Sequence, residues 1–335
     1  MANALVVIKN LSNAYRTRAY GVFGREVIQP VLDHITLEIG QGEIFGLVGE
    51  SGCGKTSLGN SILGLIPYEG AITIDGLQQQ QQGQLKRSKA LARKVQAVFQ
   101  DPGAALNPAK PIGWLMEEPL RIHGIGTKQE RIKKVDAMLH RVGLDPGYKT
   151  RRVHELSGGQ KQRVCIGCAL MLEPKLIVAD EAVSSLDVSV GAQILNLFQD
   201  LHHSLGLGML FISHNLQVVY YICHRIGVMY KGQIVELGAA QAVYSHPAHP
   251  YTQALLAAAS GSDLSPRLVP GSPGFASPSP GLYQKQGCGF VEPCPWKRPD
   301  CGKTAPKLIN IAPPGAPAQE VRCLLVQTEE PRRNR

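Results

Sequence analysis

Residues 44–66 read IFGLVGESGCGKTSLGNSILGLI, three kinds of sequence in one unbroken run. IFGLV is a short apolar run of the kind that forms a buried strand, and SLGNSILGLI has the apolar spacing of a helix. Between them, Gly49–Thr56 matches the pattern G-x-x-x-x-G-K-[ST]. Glycines in such a loop let successive backbone N–H groups converge on phosphate oxygens, and the helix that follows adds partial positive charge at its N-terminus. Lys55 is then expected to reach β- and γ-phosphates and Thr56 to hold Mg²⁺. Gly49, Ser51, Gly52, Cys53, Gly54, Lys55, Thr56 and Ser57 are the candidate nucleotide contacts of this loop.

On either side the chain alternates between strand and helix signals. LVVI at 5–8 and VLDHITLEI at 31–39 are rich in branched apolar residues, and GQGE at 40–43 supplies the turn into the quoted stretch. KLIVAD at 175–180 and GMLFISH at 208–214 read as strands buried on both faces. Strands of this kind separated by helices predict a mainly parallel sheet covered by helices, an α/β fold. KQERIKKVDAMLHRVGL at 128–144 sets Ile132, Val135, Met138, Leu139 and Val142 on one stripe, so a helix ending at Gly143 is predicted. Five glutamines at 78–82, beside the basic KRSKALARK, read as a solvated loop leading into a helix.

The first buried strand beyond residue 170 closes in Asp180 and Glu181, at the carboxyl end where ligands of open α/β sheets bind. Behind a phosphate-binding loop, two adjacent carboxylates divide two tasks: Asp180 holds Mg²⁺ and Glu181 polarises the attacking water.

Composition agrees with an ordinary folded protein. Of 335 residues, 44% are hydrophobic and 18% charged, which excludes a disordered chain. Lys and Arg outnumber Asp and Glu by 35 to 26, a net charge of +9 that suits nucleotide, nucleic acid or an anionic membrane surface without choosing among them. The N-terminal residues lack a basic segment followed by a long apolar one, and no run of 18 apolar residues could span a bilayer. A cytoplasmic chain is therefore expected, in which eight cysteines are free thiols or metal ligands rather than disulfides.

LSGGQKQR at 156–163 lies between the loop and the acidic pair, and with it the chain resembles the ATP-binding cassette (ABC) family, whose signature is LSGGQ. The other family motifs follow in order over residues 5 to 256. Tyr15 stands where the adenine-stacking aromatic would be, Gln100 in VFQDP is similar to the Q-loop, Asp187 in SSLD to the D-loop, and His214 in FISHN to the switch histidine. The resemblance implies an ABC-type P-loop NTPase core with an N-terminal antiparallel β subdomain and a helical signature subdomain at about 102–165. It also implies catalytic roles for Lys55, Gln100, Glu181 and His214, and Mg²⁺ on Thr56, Gln100 and Asp180. Cassettes of this family work as head-to-tail pairs, in which Ser157, Gly158, Gly159 and Gln160 would serve ATP bound to the opposing subunit. An N-terminal helix end bearing a serine and two glycines fits a second anion site.

Three departures from the family pattern bear on the reading. DEAVSSLD at 180–187 replaces DEPTSALD or DEPVSALD, which removes no ligand. Cys165 and Cys168, in RVCIGCAL, have C-x-x-C spacing but no second pair, so packing is the expected role. Cys53 replaces a common serine within the loop, and an exposed, backbone-lined setting would lower its pKa.

SHPAHPYTQALL at 245–256 is similar to a phrase of the dipeptide, oligopeptide and nickel importer branch of the family. The implied domain order is a nucleotide-binding domain over 1–256, a Pro/Gly/Ser-rich linker over 257–287 and a cysteine-containing extension over 288–335. In the extension Cys288, Cys294, Cys301 and Cys323 present four thiols, three of them on a loop stiffened by Pro293, Pro295 and Pro299. Three readings stay open: a [4Fe–4S] cluster as in some members of the branch, tetrahedral Zn²⁺, or structural thiols.

Membership would make the chain an ATPase that powers import of peptides or a related solute such as nickel or a metal chelate. It would sit peripherally on the cytoplasmic face of the inner membrane. The implied partners are a second, different cassette, two integral membrane permease subunits and an extracytoplasmic substrate-binding protein, with no nucleic acid expected. The competing class is a soluble ABC ATPase of translation or DNA repair, which usually carries two cassettes in one chain or a long coiled coil between motifs; neither is present.

Overall fold

Alternation of buried and exposed side chains makes sheet of the first forty residues. In β1 (Ala4–Arg18) Leu5, Val6, Ile8 and Leu11 are buried, and in β2 (Glu26–Gly40) Leu32, Ile35, Leu37 and Ile39 are. The two pair antiparallel, with Ile8 opposite Leu37, and both run longer than the short strands that the apolar runs suggest. Side chains along one face share a single core, so pairing extends past the apolar runs themselves. The structure, a computed structural model, describes residues 4–18, 26–79, 88–260 and 286–327. Most of the glutamine run and most of the Pro/Gly/Ser-rich linker lie outside the described residues.

After the turn at 40–43 the chain enters β3 (Ile44–Val48), with all five residues buried, then the glycine-rich loop and α1 (Lys55–Ile62). β4 (Glu69–Ile74) and β5 (Leu77–Gln78) complete a four-stranded antiparallel sheet in the order β2-β1-β4-β5. A short α2 (Lys89–Lys94) leads into β6 (Val95–Val98).

Next come four helices, α3 (Pro102–Ala105), α4 (Ile112–Ile122), α5 (Lys128–Arg141) and α6 (Gly158–Leu170). α5 begins at a capping box in which Thr127 and Glu130 bond each other's backbone N–H, and Gly143 follows it in a left-handed conformation. Val135, Met138, Leu139 and Val142 are buried as its spacing predicts, whereas Ile132 is 40% exposed. Ile132 sits one turn nearer the helix start, on its solvent-facing margin. On α6, Cys165 is buried in the core and Cys168 packs partly buried against it; burial pushes the Cys165 thiol up to about 12. Both are packing residues.

The remaining elements build one large sheet. β7 (Leu176–Asp180), α7 (Val188–Leu205), β8 (Gly208–Ser213), α8 (Leu216–Ile222), β9 (Arg225–Tyr230) and β10 (Gln233–Ala239) precede α9 (Ala240–Ser245) and α10 (Pro250–Ser260). β11 (Ile309–Asn310), β12 (Gln319–Val321) and α11 (Leu324–Gln327) belong to the C-terminal extension. The strand order is β11-β12-β10-β9-β3-β8-β7-β6. Strands β6, β7, β8, β3 and β9 run parallel, as continuous apolar runs buried on both faces require, and β10, β12 and β11 add on antiparallel.

The extension thus enters the sheet, where β12 pairs with the edge of β10. The join centres on Glu236, whose fully buried carboxylate accepts N–H bonds from Ala248 and His249 at 2.9 Å and an amide bond from Gln319 at 2.8 Å. One acid therefore ties β10, the start of α10 and β12 together. Burial pushes its pKa up, and these bonds pull it back.

His249 beside it is also buried, and its Nδ1 accepts the N–H of Tyr251 at 3.0 Å, so the ring is neutral with its hydrogen on Nε2. Burial pushes its pKa down to about 3. A histidine depressed in the folded state contributes stability that is complete above its unfolded pKa, about 6.5, and is lost as pH falls toward the folded value. Acidification to pH 5 should therefore cost about 2 kcal/mol through this one residue. Glu236, being raised, contributes a slope of opposite sign. The difference between proteins isolates the histidine: thermal unfolding from pH 7 to 5 should fall more steeply for the native chain than for His249→Asn, whose Oδ1 can accept the same bond.

Candidate active site

Parallel strands that pair in register end together, and this places the motifs. Val48 pairs with Ser213, Asp180 with Ile212, and Val98 with Ala179. The glycine-rich loop, His214, the Asp180–Glu181 pair and Gln100 therefore emerge side by side from the carboxyl edge of β3, β8, β7 and β6. This is the edge where the open α/β sheet leaves room for a ligand. A cleft of about 610 Å³ there is lined by Gly49, Glu50, Ser51, Glu181, His214 and Leu216, among others.

The loop is wrapped around its own lysine. Lys55 is 5% exposed, and its Nζ donates to the carbonyls of Gly49 and Glu50, both at 2.8 Å, with Cys53 Sγ at 3.8 Å. Gly54 stands at the turn into α1 with φ of +107°, where a Cβ would also come within 2.8 Å of the Val31 carbonyl. Cys53 is not the exposed thiol that its place in the loop suggests. It is 7% exposed, and burial pushes its pKa up more than the neighbouring Lys55 lowers it, so it lacks the activation the sequence implied.

Behind the loop, Thr56 bonds the carboxyl group of Asp180. Oδ1 of Asp180 is buried without a hydrogen-bond partner, and desolvation pushes this acid up while Thr56 and Lys55 oppose it. An orphaned carboxylate oxygen beside a hydroxyl is a hard-oxygen donor set, which fits Mg²⁺. Glu181 follows with φ of +48°, rare for a residue with a side chain, and its N–H donates to Ile212 O at 2.9 Å. That turn aims its carboxylate across the neighbouring strand, where Oε1 lies 3.2 Å from Nδ1 of His214. An ionised carboxylate can only accept, so the His214 hydrogen sits on Nδ1.

Two further candidates make contacts with other elements. The Tyr15 hydroxyl lies 3.3 Å from Ser57 Oγ at the start of α1, which brings its half-exposed ring beside the loop. The Gln100 carbonyl accepts from Ser185 Oγ at 3.2 Å, joining the end of β6 to the stretch that leads to Asp187, the residue before α7.

Ser157, Gly158, Gly159 and Gln160 do not line this cleft. They open α6 as a second exposed helix terminus: Ser157 caps the helix, Gln160 returns the bond to the Ser157 N–H at 3.0 Å, and its amide donates to Tyr148. Gly159 is small because α7 crosses there; a Cβ would stand 2.5 Å from Val190 Cγ1. The chain thus presents a loop-and-acid site and a separate serine–glycine terminus.

The cysteines of the extension do come into one segment. The Cys288 N–H donates to the Cys301 carbonyl at 2.7 Å, and both residues pack with Val291 and Leu324. Cys301 Sγ accepts the Arg298 N–H at 3.4 Å. Burial pushes the Cys288, Cys294 and Cys323 thiols up, Cys294 to about 11, and neighbouring cysteines of the group raise each of them further. Among the described residues no three His, Cys, Asp or Glu side chains form a group able to hold a metal ion. A [4Fe–4S] or Zn²⁺ site at Cys288, Cys294, Cys301 and Cys323 is therefore not supported among the described residues.

Sequence reading passed over Glu50 and Tyr251. Glu50 is half-buried with Oε1 unpartnered, and burial pushes its pKa up. Tyr251 is fully buried and its hydroxyl accepts the Glu50 N–H at 2.9 Å. The only signal for either was position, one inside the loop and one inside the phrase at 245–256.

Comparison with known proteins agrees with this geometry. Residues 32–184 match the ABC transporter family, and residues 235–301 match the oligopeptide/dipeptide transporter C-terminal region. A Brucella ovis protein named as a peptide import ATP-binding protein is 43% identical over 312 residues, covering 92% of this chain and 95% of its own. A Brucella abortus protein of the same description is 46% identical over 306 residues, covering 90% of this chain and 88% of its own. Among solved structures, a Clostridium perfringens subunit described as part of an ABC transporter complex superposes with a TM-score of 0.62 at 26% identity, over 73% of this chain and 92% of that one. An ATP-binding cassette solved as a dimer with ADP and phosphate gives 0.60 at 27% identity, over 70% of this chain and 98% of that one. With relatives this similar across nine-tenths of its length, and with the motifs meeting at one sheet edge, the chain belongs to the ABC transporter family as an ATPase of the branch that carries the oligopeptide/dipeptide C-terminal region.

Proposed function

We propose that this chain is the ATP-hydrolysing subunit of a peptide importer, bound peripherally to membrane subunits. The observation that carries the reading is the Glu181–His214 pair, 3.2 Å apart, at the sheet edge where the glycine-rich loop also ends. The cargo class follows the names of the relatives, and among the described residues no helix is long and apolar enough to cross a membrane. A nickel or metal-chelate cargo has no comparable support.

In this mechanism the loop amides and Lys55 bind the β- and γ-phosphates of ATP, with Tyr15 against the adenine. Thr56 and Asp180, with Gln100, would hold Mg²⁺, which would supply neutralisation of charge on the phosphate oxygens. Glu181 orients and polarises the attacking water, and His214 fixes the carboxylate through Nδ1–H and leaves its exposed side free to meet the γ-phosphate of bound ATP. Ser157, Gly158, Gly159 and Gln160 serve ATP held by a second, different cassette, and Asp187 lies at the contact between the two. Their separation from the chain's own cleft supports a paired arrangement. Closure of the pair moves two permease subunits through the surface near Gln100, and phosphate release reopens it. An extracytoplasmic binding protein delivers the peptide.

Replacing Glu181 by Gln should lower kcat for ATP hydrolysis at least ~100-fold while ATP binding persists, since the amide keeps the shape and loses the base. Phosphate release by the assembled transporter measures the first and nucleotide retention the second; near-normal turnover would mean that another group polarises the water. Expressed with its neighbouring genes, the chain should co-purify with integral subunits from solubilised membranes. RNA binding that weakens steeply with salt, without membrane partners, is the outcome expected instead of an ATPase of translation or repair.

A further inference from the structure

Tyr251 lies in α10, beyond the loop, the acids and the histidine of the hydrolysis site, yet its hydroxyl reaches the loop itself. The bond from the Glu50 N–H, at 2.9 Å, has a partner on the same peptide group. A peptide bond is planar and trans, so the Gly49 carbonyl and the Glu50 N–H belong to one rigid unit and point in opposite directions. The Gly49 carbonyl accepts from Lys55 Nζ at 2.8 Å. One peptide plane is therefore pinned at both ends, by the tyrosine on one side and by the ammonium on the other.

Turning that plane would break both contacts together, and it would swing one of the two carbonyls that aim Lys55. The tyrosine itself has little freedom to follow. It is fully buried, and its ring packs against Tyr230 at 4.6 Å and against Phe290 of the extension at 5.5 Å between centroids. The backbone beside it is held as well, because the Tyr251 N–H donates to His249 Nδ1 and the His249 N–H to Glu236. A further bond joins the regions: Lys231 Nζ donates to the Gly289 carbonyl at 3.1 Å, and the Gly232 N–H next to it donates to the Cys53 carbonyl of the loop at 2.8 Å.

We infer that Tyr251 is a positioning residue for ATP binding: its hydroxyl holds the Gly49–Glu50 peptide, and through it Lys55, in the orientation that receives the phosphates, with Phe290 of the cysteine-bearing extension bracing the ring. This inference rests on the assignment of the loop as the ATP site. It also gives the extension a part in nucleotide affinity, which its sequence alone does not suggest.

Without the tyrosine hydroxyl the nucleotide-free loop can leave the orientation that receives the phosphates, and ATP binding must restore it, so the loss should be felt in binding and not in the chemical step. In Tyr251→Phe the half-buried Glu50 N–H has lost its acceptor, so the free loop turns toward other partners, and returning it to the ATP-binding orientation corresponds to about a five- to tenfold weaker affinity. The test is ATP titrated calorimetrically into the native full chain and into Tyr251→Phe, together with steady-state hydrolysis by the assembled transporter. The expected result is a Kd and a KM for ATP raised about five- to tenfold with kcat within twofold, and an unfolding midpoint without nucleotide that shifts little. Kd and KM within twofold of the native values overturn the inference. So does a fall in kcat at unchanged KM, or an affinity loss seen only where the nucleotide-free variant has already begun to unfold. Failure of the native chain to bind ATP would overturn the loop assignment as well, and so is distinguishable from failure of the tyrosine's role.

Discussion

A lysine ammonium taken out of water must find acceptors, and in this protein the carbonyls of the loop that precedes it supply them. Lys55 is buried, and it is satisfied by Gly49 and Glu50 at 2.8 Å each. Leaving a charge of this kind unpaired would cost several kcal/mol, so the loop has to curl back over the start of α1. That curl is what points successive amides the same way and leaves a concave anion site at the helix end. It needs a flat, unmoving base, which β3 supplies as the strand flanked in parallel by β8 and β9. The parallel pairing then brings Asp180, Glu181 and His214 to the same edge without further devices.

Around that site the structure spends its buried polar groups on joints. Glu236 joins β10, α10 and β12; Tyr251 joins α10 to the loop; Thr56 joins α1 to Asp180. Each is a donor or acceptor with defined partners, Glu236 and Tyr251 fully buried, so each fixes orientation more than it adds net stability. Asp180 Oδ1 and Glu50 Oε1 stand apart as buried carboxylate oxygens without partners, and both lie where ligand is bound or the loop is held. A buried carboxylate oxygen left without a partner beside a hydroxyl, as at Asp180, fits a cation that would supply what the protein does not. The left-handed backbone at Glu181 belongs to the same economy: local strain at one residue aims a carboxylate across a strand at His214.

Much of this was legible in the residues themselves. The strand, glycine loop and helix at 44–66 have a periodicity and a punctuation that leave one reading, and the apolar runs ending in Asp180 and in Ser213 could only be strands of a covered parallel sheet. Local rules failed where long-range packing decided. Ile132 fits the helical stripe of α5 but falls at its margin, and Cys53 sits in a motif that looks exposed yet is covered by the loop's fold. The cysteines of the extension share a segment, and among the described residues they form no group able to hold a metal ion, which spacing alone did not reveal.

Chemistry that depends on residue type and short spacing was therefore settled by the sequence: a phosphate loop with its lysine and threonine, an acidic pair closing a strand, a capped serine–glycine helix start. These features are local, since spacing of a few residues on a strand or helix has one geometry. What only the tertiary structure decided is which of them face each other. The contact of Glu181 with His214 spans 33 positions, that of Glu50 with Tyr251 spans 201, and that of Glu236 with Gln319 spans 83. No periodicity carries information over such distances. The sheet order carries it instead, because strand pairing and burial fix where the ends of distant segments meet.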